Sequence, residues 1–202
     1  LAVTSKYPIT EIKELTAKGI RRASLLFKTA GIYFINVHLT SQKVSSRTQE
    51  SKQLSGVIKK LISEGKQLVV LGDFNALSPL DKAYLDTMSV MLKFYQTDPK
   101  KKKNLTNNQF DYTVLQRFYD TGLVDPCYQK LKKSAILNAS FPTIILEKIG
   151  TAQDQKDALH RIDYVLMTAE LAKTVTAVDI PREGIVNKIS DHYPVIVTLK
   201  KQ

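Results

Sequence analysis

Residues 68–76 read Leu-Val-Val-Leu-Gly-Asp-Phe-Asn-Ala and carry the strongest structural signal in the chain. A short apolar run that stops at a glycine is typical of a buried β-strand. Successive side chains of a strand point to opposite faces, so Asp73 and Asn75 are predicted to share one face. The stretch therefore predicts a sheet strand that ends in two polar side chains.

Three other stretches also place polar side chains at the ends of predicted strands. They are Ile-Asn-Val-His-Leu at 35–39, Arg-Ile-Asp-Tyr-Val-Leu at 161–166, and Ile-Ser-Asp-His-Tyr-Pro-Val-Ile-Val at 189–197. Loops at the ends of a rigid sheet are where proteins commonly hold functional residues. We therefore expect His38, Asp163, Asp191 and His192 to lie with Asp73 and Asn75 on the rim of one site.

Helical and extended patterns alternate along the rest of the chain. Apolar residues at 54, 57, 58, 61 and 62 are three and four apart, which predicts an amphipathic helix from Ser46 to just before Gly65. Further helices are predicted over 80–95, 111–119 and 169–173, and strands over 20–28, 32–39, 66–72, 162–167, 175–180 and 193–199. Residues 99–109 are predicted to be a loop, and 143–146 an extended segment. This alternation predicts an α/β domain.

The charge is strongly basic, with 30 Lys and Arg residues against 19 Asp and Glu and a net charge of +11. A basic surface attracts polyanions such as nucleic acid or anionic lipid head groups. Much of this charge sits in lysine blocks at 100–103 and 130–133, and such blocks are commonly solvated. Contact with a polyanion and plain solvation thus both remain open.

Length and apolar content set further bounds. A chain of 202 residues suits one domain, and no apolar stretch approaches the roughly 18 residues that a membrane span needs. The single cysteine, Cys127, excludes an internal disulfide and is expected to be a small packing residue.

The four motifs, in this order, resemble the endonuclease/exonuclease/phosphatase superfamily of divalent-metal phosphoesterases. The resemblance runs from Leu1 to Leu199, and residues 107–143 are most similar to an uncharacterised bacterial branch. It implies a deoxyribonuclease I-like fold, a four-layer sandwich of two mixed β-sheets flanked by helices.

The resemblance also implies roles for the rim residues. Asp191 is implied to be a metal ligand that shares the ion with a Glu. His192 is implied to pair with Asp163 and to act on the attacking water or the scissile phosphate. His38 is implied to be the general acid for the leaving oxygen. Arg21 or Arg22 resembles a phosphate-contacting arginine of the deoxyribonuclease branch.

The chemistry of Asp73 and Asn75 suits the same reaction. The carboxylate can orient water or hold a second cation, and the amide can donate a hydrogen bond to a phosphoryl oxygen. Asp73 and Asn75 are therefore candidate metal ligands beside Asp191. Oxygen ligands without a Cys/His cluster favour Mg²⁺ or Mn²⁺ over zinc. His160 is predicted to be a surface histidine and Arg161 a structural residue.

One departure from the family pattern concerns the start of the chain. Residues 1–9 resemble a later segment of the family, and the strands with its Asn and metal-binding Glu are not recognisable. We therefore interpret residues 1–202 as one domain that lacks its N-terminal strands, and expect it to be poorly soluble or to bind metal weakly with little activity. Glu11, Glu14 and Asp111 are the first alternatives for a completing carboxylate.

Three functions remain open at this point. The first is a Mg²⁺-dependent phosphodiesterase or phosphatase, the second an endonuclease acting on DNA or RNA, and the third a catalytically impaired fragment or binding module. A phosphoester, with nucleic acid or a phospholipid head group among the options, is the expected partner, and a monomer is the expected state. The cellular location is open, and an extracytoplasmic bacterial one is compatible with the sequence.

Overall fold

The computed structural model describes residues 1–15, 24–145 and 158–200. Its centre is a six-stranded sheet in which the pairing of β3 with β4 is parallel and the other pairings are antiparallel. In spatial order the strands are β1 (Ile9–Leu15), β2 (Ser24–Thr29), β3 (Ile32–His38), β4 (Leu68–Asp73), β8 (Asp163–Thr168) and β7 (Leu123–Val124).

Helices and two smaller strand pairs surround this sheet. The helices are α1 (Val44–Ser63), α2 (Lys82–Leu85), α3 (Ser89–Thr97), α4 (Thr113–Tyr119), α5 (Pro126–Lys130), α6 (Ala169–Ala172) and α7 (Val186–Ile189). The strand pairs are β5 (Leu105–Thr106) with β6 (Gln109–Phe110), and β9 (Val175–Asp179) with β10 (Ile196–Leu199). Within the described ranges no helix is long and apolar enough to cross a membrane.

The central sheet buries both of its faces. On one face, Ile35 and Val70 pack with the apolar stripe of α1, including Ile58, and with residues of α4. On the other face, Val69 and Met167 belong to a second cluster that includes residues of β9 and β10. The strand periodicity of two therefore places successive residues of β4 in different cores, and the predicted α/β class is confirmed.

Several predicted boundaries differ from the structure. The helix predicted over 80–95 is two helices, because α2 ends where the Thr87 hydroxyl donates to the Tyr84 carbonyl (2.6 Å) and Met88 turns into the core. The predicted loop 99–109 contains the β5–β6 hairpin. Residues 144–145 form a turn rather than an extended segment, and residues 16–23 and 146 lie outside the described residues.

The register of three central strands aligns three of the predicted site residues. His38 lies opposite Asp73 in the β3–β4 pairing, and Asp73 lies opposite Asp163 in the β4–β8 pairing. Gly72 permits this close approach. Its φ is +128°, and a Cβ added there would lie 2.0 Å from the Val37 carbonyl oxygen.

Replacement of Gly72 by alanine is expected to lower the free energy of unfolding by about 3 kcal/mol, because it combines a strained φ with a backbone clash. Urea denaturation followed by circular dichroism measures the change. Gly56→Ala is the matched control, since Gly56 is exposed in α1 and an added Cβ there meets nothing within 4 Å. The control is expected to gain about 0.5–1 kcal/mol. Equal stability of Gly72→Ala and the parent would contradict the close approach at β3.

Candidate active site

A cleft of about 570 Å³ opens at the strand ends where His38, Asp73 and Asp163 are aligned. Six residues predicted from the sequence line it, namely His38, Asp73, Asn75, Asp163, Asp191 and His192. The structure therefore brings the four motif regions together. Arg21 and Arg22, the candidate phosphate-binding arginines, lie outside the described residues.

The segment after β4 alternates between cleft and core. Phe74 is fully buried and packs edge-on against Phe118 and Tyr164, whereas Asp73 and Asn75 line the cleft. Asn75 has a φ of +47°, a left-handed conformation that asparagine tolerates better than most residues. The local sequence thus holds both polar side chains on one side, as predicted.

Asp73 and Asn75 are bonded to each other. The Asn75 amide N–H donates to Asp73 Oδ1 (2.7 Å), and Asn75 Nδ2 donates to Asp73 Oδ2 (2.7 Å) and to the Leu39 carbonyl (3.0 Å). Both hydrogens of the Asn75 side-chain amide are therefore engaged with protein acceptors. Donation from Nδ2 to a phosphoryl oxygen requires that one of these bonds be exchanged.

His38 stands beside this pair at the end of β3. Its Nε2 lies 3.4 Å from Asp73 Oδ2, and 41% of its side chain is exposed. An imidazole that is accessible from the cleft and adjacent to a carboxylate can exchange a proton with a bound ligand.

His192 pairs with Asp163 across the cleft. The distance from His192 Nδ1 to Asp163 Oδ2 is 2.8 Å, and both side chains are largely buried. Burial lowers the pKa of His192, but the hydrogen bond and charge of Asp163, with smaller effects of Asp73 and Asp191, raise it above its ordinary value overall. Because a carboxylate accepts from Nδ1, Nε2 is the ring nitrogen left to act on a ligand.

Segment 140–143 forms hydrogen bonds both with Asp163 and with the loop that carries His192. The Ser140 hydroxyl donates to Asp163 Oδ2 (2.7 Å) and accepts from the Asp163 amide (3.1 Å). The Tyr193 amide donates to the Ser140 carbonyl (2.7 Å), and the Thr143 amide donates to the Asp191 carbonyl (3.0 Å). Sequence reasoning missed Ser140, because no residue near it marks a partner more than 20 positions away.

One carboxylate of the cleft, Asp191, is placed to bind a metal ion from solvent. Asp191 is exposed on the cleft, and within the described part of the chain no three His, Cys, Asp or Glu residues are placed to hold an ion. Magnesium commonly uses one or two carboxylates, with water and substrate phosphate in the other positions. Asp191 fits that mode of binding.

The alternative carboxylates either have other partners or do not line the cleft. Glu11 accepts from the Tyr33 hydroxyl on β3 (2.6 Å) and from the Lys28 ammonium on β2 (3.1 Å), and it does not line the cleft. Asp111 lines the cleft, but its two oxygens accept from side chain and backbone groups of Thr106 and Thr113. Glu14, on β1, is likewise not among the residues that line the cleft.

His160 is not a surface residue, so that prediction is wrong. Only 6% of it is exposed, and its ring packs edge-on against Phe141 inside the cleft. Nδ1 donates to the Ala158 carbonyl (2.7 Å), and burial lowers the pKa of the ring. The burial of His160 could not be predicted from neighbouring residues, because it depends on contact with the distant segment 140–143.

Arg161 is structural, as predicted. Its guanidinium is buried with Asp81 and Asp125, at 2.9 Å from Asp81 Oδ2 and 2.5 Å from Asp125 Oδ2. It also lies over the Tyr164 ring, 4.6 Å from its centroid. This cluster supports the start of β8, next to Asp163. Cys127 is buried nearby and packs as a small residue, as expected.

Comparison with known proteins shows the family and the fold. The Endonuclease/Exonuclease/phosphatase family model matches residues 1–192. A search of curated proteins gave no match. A structure of NExo from Neisseria, described as a 3′ phosphatase bound to product DNA hairpin, superposes with a TM-score of 0.69 at 19% identity, over 98% of this chain and 73% of that one.

Two further solved structures have similar folds. The 3′-5′ exonuclease NExo from Neisseria meningitidis gives a TM-score of 0.66 at 17% identity, and an AP endonuclease from Archaeoglobus fulgidus gives 0.65 at 16%. Each comparison covers 98% of this chain and 73% of the other. At these identities the likeness establishes the deoxyribonuclease I-like fold.

NMR titration of the histidine rings tests the His192–Asp163 pair. The pKa of His192 is expected above 6.5 in the parent and lower in Asp163→Asn, because burial then acts without the opposing charge. A folded pKa above the unfolded one means that the pair stabilises the fold below pH 6.5, a contribution lost as the pH rises through the folded value. Asp120→Asn, which removes an exposed carboxylate that does not line the cleft, is the control variant and is expected to leave the His192 titration unchanged. An unchanged His192 titration in Asp163→Asn would contradict the pairing.

Proposed function

We propose that this chain, which belongs to the Endonuclease/Exonuclease/phosphatase family, is a divalent-metal-dependent hydrolase of phosphoester bonds. The observation that carries the proposal is the His192–Asp163 pair at 2.8 Å, which faces the Asp73, Asn75 and His38 group in the same cleft. Phosphoester hydrolysis needs an activated water, neutralisation of the phosphoryl charge and a proton for the leaving oxygen. The cleft offers a residue for each need.

Proton transfers are assigned to the two histidines. Asp163 holds the His192 ring through Nδ1, so Nε2 is proposed to take the proton of the attacking water as that water forms its bond to phosphorus. His38, half exposed beside Asp73, is proposed to give a proton to the ester oxygen as the bond between phosphorus and that oxygen breaks. A water molecule is thereby split between the phosphate and the leaving alcohol.

Asp191 is the residue proposed to hold the metal, with Asp73 as the candidate for a second ion. Mg²⁺ or Mn²⁺ bound there supplies positive charge to the phosphoryl oxygens. Asp73 otherwise orients Asn75, since both of its oxygens accept from that residue. These assignments require no cysteine or histidine as a ligand.

Nucleic acid is the second candidate for the substrate class. Lys101 lies at the rim of the cleft, the chain carries a net charge of +11, and one structure with the same fold is described as bound to a DNA hairpin. Positive charge around a catalytic cleft raises the local concentration of a polyanion. Nicking of supercoiled plasmid, measured beside hydrolysis of bis-p-nitrophenyl phosphate, distinguishes a nuclease from a general phosphoesterase.

Removal of divalent metal is expected to abolish hydrolysis of bis-p-nitrophenyl phosphate. The reason is that Asp73, Asp163 and Asp191 repel a phosphate beside them unless a cation is present. Activity is measured after exhaustive chelation and again after addition of Mg²⁺, Mn²⁺ or Ca²⁺. Full activity in the chelated protein would refute the metal requirement.

His192→Ala is expected to lower kcat by about 10²-fold or more, the usual contribution of general acid–base catalysis. The substrate is bis-p-nitrophenyl phosphate with saturating Mg²⁺. Lys188→Ala is the matched control, because Lys188 precedes the motif on α7 and does not line the cleft. A kcat for His192→Ala within about threefold of the control would exclude His192 from the chemistry.

A further inference from the structure

Arg47, on the first turns of α1, lines the cleft as a buried cation. Only 4% of the residue is exposed, and its Nη1 donates to the Thr40 carbonyl (3.0 Å) and to Asn104 Oδ1 (2.8 Å). Its Nε is buried without a hydrogen-bond partner, and among the described residues no carboxylate lies within ion-pair distance of the guanidinium. Its contacts are therefore neutral oxygens.

A buried guanidinium with neutral partners is costly. Moving a charge out of water carries a penalty that an opposite charge in contact can offset, and an unsatisfied N–H adds to it. Burial accordingly lowers the pKa of Arg47, although Tyr95, Asp111, Glu50 and Asp73 partly offset this from a distance. Arg161 is equally buried, but its guanidinium contacts two carboxylates. Arg47 has the environment of a group that receives an anion.

Two neighbouring side chains extend this positive region to the mouth of the cleft. Asn104 and Lys101 both line the cleft, and they belong to one compact turn, because the Asn104 amide donates to the Lys101 carbonyl (2.8 Å). The Lys101 ammonium lies 5.6 Å from the centroid of the Tyr95 ring, which also lines the cleft. Arg47, Asn104 and Lys101 together are named the basic corner.

The cleft is lined by charges of both signs. Asp73, Asp163 and Asp191, beside the two histidines, are named the catalytic end and carry negative charge. The basic corner carries Arg47 and Lys101, and Asp111, which also lines the cleft, acts on Arg47 from a distance. A phosphate at the catalytic end needs a cation beside it. A phosphate at the basic corner needs none, because guanidinium, ammonium and amide groups are themselves phosphate donors.

We infer that the basic corner binds a second phosphate of the substrate, while the first phosphate is hydrolysed at the catalytic end. The inference rests on the proposed function and specifies the substrate as one with at least two anionic groups. Arg47 and Lys101 supply the charge, and Asn104 supplies amide donors. The second phosphate is either the next diester of a nucleic-acid strand or the other phosphate of a small bisphosphate.

Selectivity between substrates with one and two phosphates tests this inference in the full chain with Mg²⁺. One arm compares the trinucleotide d(TpTpT) with the dinucleotide d(TpT), and the other compares an alkanediol bisphosphate with an alkyl monophosphate. The measured quantity is kcat/KM for the substrate with two phosphates divided by kcat/KM for the substrate with one. In the arm whose substrate resembles the natural one, Lys101→Ala and Asn104→Ala are expected to lower this ratio by about tenfold. Lys103→Ala is the control, since it removes the same charge from the same loop but does not line the cleft.

The outcomes separate binding from structural support. A ratio that falls in Lys101→Ala and stays at the parent value in Lys103→Ala supports the inference, and the arm that responds identifies the source. Equal loss on both substrates would assign the turn a structural role and overturn the inference. An unchanged ratio in both arms would overturn it as well. Lys101 carries the test because it is exposed, whereas replacement of the buried Arg47 can unfold the chain.

A binding measurement keeps the inference independent of turnover. In excess chelator the acidic end repels phosphate, so calorimetric titration with inorganic phosphate reports the basic corner. Saturable binding that weakens about tenfold in Lys101→Ala, but not in Lys103→Ala, supports the inference even if no substrate is hydrolysed. Absent binding, or equal weakening in both variants, overturns it. Failure to hydrolyse any phosphoester would instead count against the proposed function alone.

Discussion

The site depends on the hydrogen-bonded register of three central strands. Backbone pairing holds His38, Asp73 and Asp163 in one row across β3, β4 and β8, where neighbouring strands are about 4.8 Å apart. A shift of one residue in β4 would turn Asp73 into a core and expose Phe74. The burial of Phe74 between Phe118 and Tyr164 therefore favours the observed register of β4. Apolar packing therefore sets the positions of the polar groups in this row.

Asp163 joins this row to the loop that carries Asp191 and His192. Its Oδ2 accepts from both Ser140 and His192, so one oxygen connects the central sheet, segment 140–143 and the loop before β10. The Ser140 hydroxyl has one hydrogen to donate, and its bond to Asp163 leaves its lone pairs for backbone amides. Because each member is satisfied by the others, the orientation of the His192 ring follows from contacts that do not involve substrate.

The parts predicted from sequence are those that short-range patterns determine. The alternation around Asp73 and Asn75, and the apolar stripe of α1, are local periodicities, so strand, helix and facing direction could be read directly. The division of residues 80–95 depended on a hydroxyl cap at Thr87 and on burial of Met88, which only the folded chain defines. His160 was misplaced for the same reason, since its burial comes from contact with Phe141, 19 positions away.

Under the proposed function, a strongly basic protein presents three aspartates beside its candidate catalytic histidines. The net charge of +11 acts over distances of about a Debye length, near 8–10 Å at physiological salt, and draws a polyanion toward the surface. Within the cleft, the nearest charged side chains determine where a phosphate is favoured. Asp73, Asp163 and Asp191 oppose the entry of a bare phosphate beside His192, and Arg47 and Lys101 favour it at the basic corner. Under the proposed function, long-range attraction brings the substrate to the surface, and the local arrangement is expected to orient a phosphoester so that the phosphate accompanied by a cation lies beside His192.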